Sequence, residues 1–431
     1  MGGWRRHGLL LLLALMYADN YVGRQIIAVM IEPIKAEYGV SDTLMGLISG
    51  LAFALTYALL GLPIARLGSR LSRTRLLAIS CLMWSLATIS CGLTTGFILL
   101  VVARMAVALA EAPGTPTALS IIADIYLPQQ RSFAISCFTA APTFAAIAAL
   151  SLGAWFVAQH GWRVTFFGIG LLMLPVSLLL ACLRDPKPVH PLPEGASNRR
   201  MIDDIRALWQ DVPIRSLIMA TALASLAGTS LGMWNATFLV RTHGMALEHA
   251  GLIAGAVGGT CAGFGILFSG WFTDRMARRN PHSYWRIPLF GHVVAVLTLI
   301  GYLSWPVGHD LPIDVGFPVP GAIIFTALSG FFSVWWAAAS FSLLTHLVRP
   351  EQRSTALILQ SMTTTIVGIG FGPILVGLLS DLLTPWLGSE SLRYALFANV
   401  LIQGSAIVAL KRTSRHPFFK TRALETGLNQ P

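Results

Sequence analysis

The chain has 431 residues, of which 55% are hydrophobic and only 11% charged, and its net charge is +11. A soluble domain carries about 25% charged residues, so this composition leaves too little polar surface for a water-soluble globule and predicts a polytopic membrane protein.

In chain order, twelve apolar runs are long enough to cross a hydrocarbon core of ~30 Å. They lie near residues 8–31, 43–65, 75–95, 97–123, 132–157 and 163–183, and then near 213–240, 248–272, 287–305, 318–346, 355–380 and 392–410. The third and fourth are divided only by Thr94, Thr95 and Gly96. Each run is expected to be helical, because backbone in lipid must satisfy its own hydrogen bonds. Residues Arg5 to Ala18 resemble a signal peptide, but the apolar stretch continues to Ile31, and the run is read as an uncleaved first span. With the N-terminus inside, 24 of the 30 Lys and Arg residues fall in the inner loops and tail and 4 on the outer side, while Arg24 and Arg104 lie within spans. This is a positive-inside distribution. It accounts for the basic excess and excludes nucleic acid as the partner. The expected location is the cell inner (plasma) membrane, multi-pass, with both termini cytoplasmic.

The longest polar interval, 184–212, is rich in proline and charge and divides six spans from six. The expected fold class is therefore an all-α membrane protein of twelve transmembrane helices in two pseudo-symmetric six-helix bundles. The bundles cover 1–183 and 213–411, joined by a cytoplasmic linker at 184–212 and followed by a cytoplasmic tail at 412–431. The halves echo each other. LPQQRSFA at 127–134 matches RPEQRSTA at 349–356, and ARLGSRLSR at 65–73 matches GWFTDRMAR at 270–278. Repeats at corresponding positions of two halves are a mark of secondary transporters.

The second pair resembles the loop motif of the major facilitator superfamily, which supplies Ser69, Arg70 and Arg73 in the first copy and Asp274, Arg275 and Arg278 in the second. Arg104 followed by VALAEA resembles that superfamily's fourth-span motif. Within the superfamily, NYVGRQIIAVMIEPIKAEYGVSD at 20–42, GLPIARLGSRLSR at 61–73, ARMAVALAEAPGTP at 103–116 and HGWR at 160–163 resemble the Spinster-like transporters. The resemblance implies the major facilitator fold, alternating access, a central cavity, gating by the loop motifs and often a proton gradient as energy source. In animals it also implies sphingolipid and lysolipid transport. Two positions depart from the subgroup. Gly23-Arg24 stands where Asp-Arg is usual, and Ser69 stands where the first loop motif usually has Asp.

Four charged residues fall well inside the spans: Asp19, Arg24, Arg104 and Glu111. Each costs at least ~2.5–3.5 kcal/mol at the bilayer centre, which argues for a cavity and a partner. Counted at ~1.5 Å per residue, Asp19 and Glu111 share one depth, and Arg24 and Arg104 share another nearer the outside. Asp19 and position 23 lie one turn apart on one helix face, so Asp19 is expected to replace the missing acid. Asp19 and Glu111 are the expected proton-coupling groups, and Arg24, Arg104 and Asn20 the expected substrate-binding groups. The competing reading is that Asp19 pairs with a nearby arginine and merely joins two helices; Arg24 can instead snorkel.

Other features read as packing. The stripe Gly251, Gly255, Gly259 and Gly263 suits close helix approach. Pro113 and Pro116 are expected to break the fourth span just below Glu111. The aromatic runs at 331–341 and 233–238, and His292, are expected in helix packing. The five cysteines all lie in apolar spans at no metal-like spacing. No P-loop, zinc spacing or nucleophile elbow appears, so ATP-driven transport and familiar hydrolases lose their support and no cofactor is expected. The expected function is secondary active, proton-coupled transport of an amphipathic or organic anion, lysolipid-like, by a monomer whose partners are that substrate, protons and membrane lipids. The alternatives are a symporter for small carboxylates or sugar acids, and a membrane sensor with a transporter fold and no flux.

Overall fold

The computed structural model describes residues 3–57, 72–126, 128–183, 198–312, 316–349 and 352–419. The described part of the first half contains α1 (Gly3–Gln25), α2 (Ile27–Tyr38), α3 (Asp42–Tyr57), α4 (Arg73–Leu93), α5 (Phe97–Glu111), α6 (Gly114–Ile125) and α7 (Pro128–Cys182). The second half contains α8 (Asn198–Gln210), α9 (Val212–His243), α10 (Leu247–Ala277), α11 (Ser283–Ser304), α12 (Ile323–Ser333), α13 (Trp336–Leu347), α14 (Arg353–Thr363), α15 (Gly372–Leu387) and α16 (Ser391–Thr413).

Eight of the described helical stretches are long and apolar enough to cross a membrane. Two of these, at 134–182 and 355–413, run to 49 and 59 residues, more than twice the ~20 that one crossing needs. The first is broken at Gly161, which has φ +80°, and the second at Gly388, with φ +53°; a residue with a Cβ rarely adopts either. Each therefore supplies two crossings. The continuous pair α1 and α2, with the polar run at its centre, and the shorter apolar α3 complete the twelve spans of the expected fold.

The chain divides into two compact units, Met1–Pro193 with Met245–Ala256, and Glu194–Gly244 with Val257–Pro431. In the first unit, the core gathers Leu9, Leu13, Met16, Leu77, Trp84, Ile121 and Phe138. Close approach of α4 and α7 rests on small residues. A Cβ at Gly170 would lie 2.8 Å from the Ser85 carbonyl, and one at Gly92 2.7 Å from the Arg163 carbonyl. The first residues of α10 belong to this unit. Gly251 and Gly255 press against α7, where added Cβ atoms would lie 2.4 Å from the Leu150 carbonyl and 2.9 Å from that of Ile147. The first half of the glycine stripe thus serves helix packing.

In the second unit, a π-helical turn at Thr364–Phe371 joins α14 to α15. A π turn shifts the local hydrogen-bond pattern. Side chains of α9 bond carbonyls of this segment: Ser225 Oγ donates to the Thr364 carbonyl at 3.2 Å and Thr229 Oγ1 to that of Gly368 at 2.7 Å. Trp234 Nε1 donates to the Pro373 carbonyl at 3.0 Å just beyond. The aromatic run at 331–341 is packed as expected, with Phe331, Phe332 and Trp335 clustered on Phe268 and Phe290. His292 is buried, with Nδ1 3.4 Å from Gln403 Nε2. The helix α8 lies inside the interval 184–212 and is tied to its unit by Gln352, which donates to Asp204 at 2.9 Å.

Candidate functional site

The four interior charges converge in the first unit. α1 carries Asp19, Asn20 and Arg24 within two turns, and α5 carries Arg104 and Glu111 seven residues apart on one face. α5 stops at Glu111. Ala112 and Pro113 make a turn before α6 starts at Gly114, because proline lacks the N–H that the preceding turn would need. The expected break of the fourth span falls where the sequence placed it.

Arg24 Nε donates to Glu111 Oε2 at 3.1 Å, and the Glu111 side chain is 0% exposed against 21% for Arg24. Asn20 lies against Glu111 as well. Arg104, buried, donates from Nη1 to the Gly23 carbonyl at 3.0 Å. Asp19 accepts from Trp84 Nε1 of α4 at 3.1 Å. The guanidinium of Arg24 lies 4.7 Å from the ring centre of Phe53, 5.2 Å from Tyr57 and 5.8 Å from Tyr21, and that of Arg104 lies 5.9 Å from Phe53. These are cation–π distances. The aromatic wall offers the arginines an attractive lining where water is scarce.

Three buried polar atoms of the cluster have no partner: Asn20 Oδ1, Arg104 Nε and Glu111 Oε1. Unmet buried polar atoms are costly, and here they sit together. A Cβ added at Gly23 would meet nothing within 4 Å, so open space adjoins the carbonyl that Arg104 holds. The arrangement can accept an anionic group at the guanidinium forks and a donor at the free carboxylate and amide oxygens.

The pairing differs in detail from the depth argument. Depth along the spans sets the acids level with each other and the arginines level with each other, yet Arg24 bonds Glu111. The five-residue step from Asp19 to Arg24 is about 7.5 Å along the axis, which the long arginine and glutamate side chains bridge together. Asp19 makes no ion pair with the described residues; its partner is the neutral indole of Trp84. Trp84, Phe53 and Tyr57 were not among the expected site residues. Phe53 and Tyr57 lie four residues apart in one apolar run and Trp84 in another, and only the folded bundle brings them to the charges.

The loop motifs are partly visible. Ser69 and Arg70 lie outside the described residues. Arg73 is paired with Asp124 at the end of α6 and donates to Ser120 Oγ at 3.1 Å. In the second copy, Asp274, Arg275 and Arg278 line a cavity of about 200 Å³ with Trp271, and Arg275 lies 5.9 Å over the Trp271 ring. Among the described residues no group of three or more His, Cys, Asp or Glu could hold a metal.

Two bundles of membrane-crossing helices with a charged cluster buried among spans of the first define a membrane transporter, and residues 13–320 match the sequence model of the Major Facilitator Superfamily, to which the chain belongs. Within it, the chain is of the Spinster-like subgroup, whose relatives are transporters and efflux pumps. It is 32% identical over 391 residues to an MFS-type efflux pump of Mycolicibacterium smegmatis, covering 89% of this chain and 86% of the relative. It is 26% identical over 389 residues to the sphingosine-1-phosphate transporter SPNS2 of Mus musculus, covering 84% and 68%. Its fold matches the crystal structure of a bacterial homolog of the human lysosomal transporter Spinster in an inward-facing, unoccupied conformation. The TM-score is 0.85 with 25% identity, over 98% of this chain and 99% of that one.

Proposed function

We propose that this transporter is secondary active and proton-coupled, and that it moves an amphipathic organic anion of lysolipid-like chemistry across the cell inner membrane by alternating access, with both termini cytoplasmic. The observation that carries the reading is the interior cluster, part of it fully buried, in which Arg24, Arg104, Asp19 and Glu111 lie beside an aromatic wall and unmet polar atoms. Arg24 and Arg104 hold the anionic group, with Asn20 beside them. The apolar portion of the substrate lies against Phe53, Tyr57 and Tyr21. Asp19 and Glu111 exchange the proton. The substrate of the mouse relative, sphingosine-1-phosphate, pairs an anionic head with an apolar chain and fits this division. The loop motifs hold the cytoplasmic gate, in which Arg73 and Asp124 take the part left by Ser69.

The test is flux in proteoliposomes with a lysophospholipid as probe, with and without an imposed pH gradient. Uphill movement driven by the gradient is expected, and it also separates a transporter from a non-transporting sensor. Asp19→Asn is expected to abolish gradient-driven accumulation while exchange at equal concentration survives. Uphill transport with an unchanged pH profile in Asp19→Asn would remove Asp19 from coupling.

A further inference from the structure

We infer that Trp84 is a positioning residue for Asp19, and that its indole N–H sets the pH at which this site takes up a proton. The inference rests on the proposed role of Asp19, but its central measurement does not. Of the two interior acids, Glu111 is committed to a cation, Arg24, at 3.1 Å. Asp19 is instead held by a single neutral donor at 3.1 Å from another helix. An acid in an ion pair must break or neutralise the pair when it gains a proton. An acid held by an indole keeps its neighbours in place, and the donor's only electrostatic effect is to favour the carboxylate over the carboxylic acid.

The donor is fixed. Trp84 is 2% exposed and belongs to the core it forms with Leu9, Leu13, Met16, Leu77 and Cys81. That core also holds residues of α6 and α7, and the ring cannot swing away without opening it. Its N–H is the only polar atom of the side chain, and it points at the carboxylate rather than at a backbone carbonyl. The other ionisable groups that face Asp19 are Cys81, one turn before Trp84 on α4, and Glu111 of α5, itself covered by Arg24. Arg104 is turned to the Gly23 carbonyl. Trp84 is therefore the group that can adjust Asp19 without touching the anion-holding arginines.

The experiment replaces the donor and keeps the ring. Trp84→Phe and, where that variant folds poorly, benzothienylalanine at 84 (an isostere with sulfur in place of N–H) are purified as full chains in lipid nanodiscs. Protonation of Asp19 is followed by infrared difference titration, taking the carboxyl band that vanishes in Asp19→Asn. Removing a hydrogen bond to a charged group is expected to move the midpoint upward by about one to two pH units. The pH profile of flux should move with it, and Trp84→Phe should cause no further shift in an Asp19→Asn background. A folded variant whose infrared midpoint is unchanged overturns the inference and leaves Trp84 as packing. A shifted infrared midpoint with flux that ignores pH in the wild type supports Trp84 as the positioner of Asp19 and sinks the proton-coupled reading instead.

Discussion

The interiors of the two units are built from the same kind of helices but carry different polar chemistry. The first holds Arg24, Arg104, Asp19 and Glu111, two of each sign, with Arg104 and Glu111 fully buried, Arg24 and Asp19 partly buried, and three polar atoms left unmet beside them. The second buries neutral groups: Tyr302 donates to Asn235, Gln360 to Thr221 at 3.3 Å, and Gln403 meets His292, while Gln360 Oε1 and both side-chain polar atoms of Asn399 are unmet. Neutral pairs cost little to bury once satisfied, whereas an ion in a low dielectric is expensive even when paired. Among the described residues the second unit fully buries no Asp, Glu, Lys or Arg, so the costliest groups are concentrated in the unit to which we assign recognition and coupling.

That contrast is sharpest at Glu111. Glu111→Ala removes the partner of a cation and should lower unfolding stability by about 3 kcal/mol, the lower end of the range for breaking a buried pair because Arg24 keeps some exposure. The double change Arg24→Met with Glu111→Met should regain most of that loss while abolishing transport. Thermal unfolding in one detergent, with flux alongside, checks both. A Glu111→Ala protein as stable as the wild type would make the first unit's charges no costlier than the second unit's neutral pairs.

Next in size is substrate recognition. Arg24→Ala or Arg104→Ala should weaken binding of an anionic lysolipid about tenfold or more, as loss of a charge-assisted hydrogen bond implies, with much less effect on a neutral analogue. Lysine at either position should rescue only part, since it lacks the planar fork. Titration of both ligands by thermal shift reads the difference. Equal losses for the two ligands would return both arginines to helix pairing.

The smallest effect belongs to the second unit. Tyr302→Phe removes the hydroxyl that donates to Asn235 Oδ1 and should cost about 1–2 kcal/mol, with the ratio of anionic to neutral ligand affinity unchanged. A change in that ratio would extend ligand recognition into the second half and break the asymmetry.

Much of this was written in the chain. Composition and the lengths of the apolar runs specified a membrane-spanning helical protein, because lipid admits few other backbones and sets the length of each crossing. The break after Glu111 follows from Pro113, and the close approach at Gly251 and Gly255 from the absence of a side chain. The expense of charge in hydrocarbon singled out Asp19, Arg24, Arg104 and Glu111 one residue at a time. Which of them meet was decided only by the tertiary structure. Sequence spacing orders residues along one helix but carries no rotation of one helix against the next. So it could not show that Arg24 reaches Glu111 while Arg104 turns to the Gly23 carbonyl, or that Asp19 finds the indole of Trp84 sixty-five positions away. Nor could it distinguish Trp84 from the apolar residues around it, since an indole N–H becomes a site residue only when packing points it at an acid.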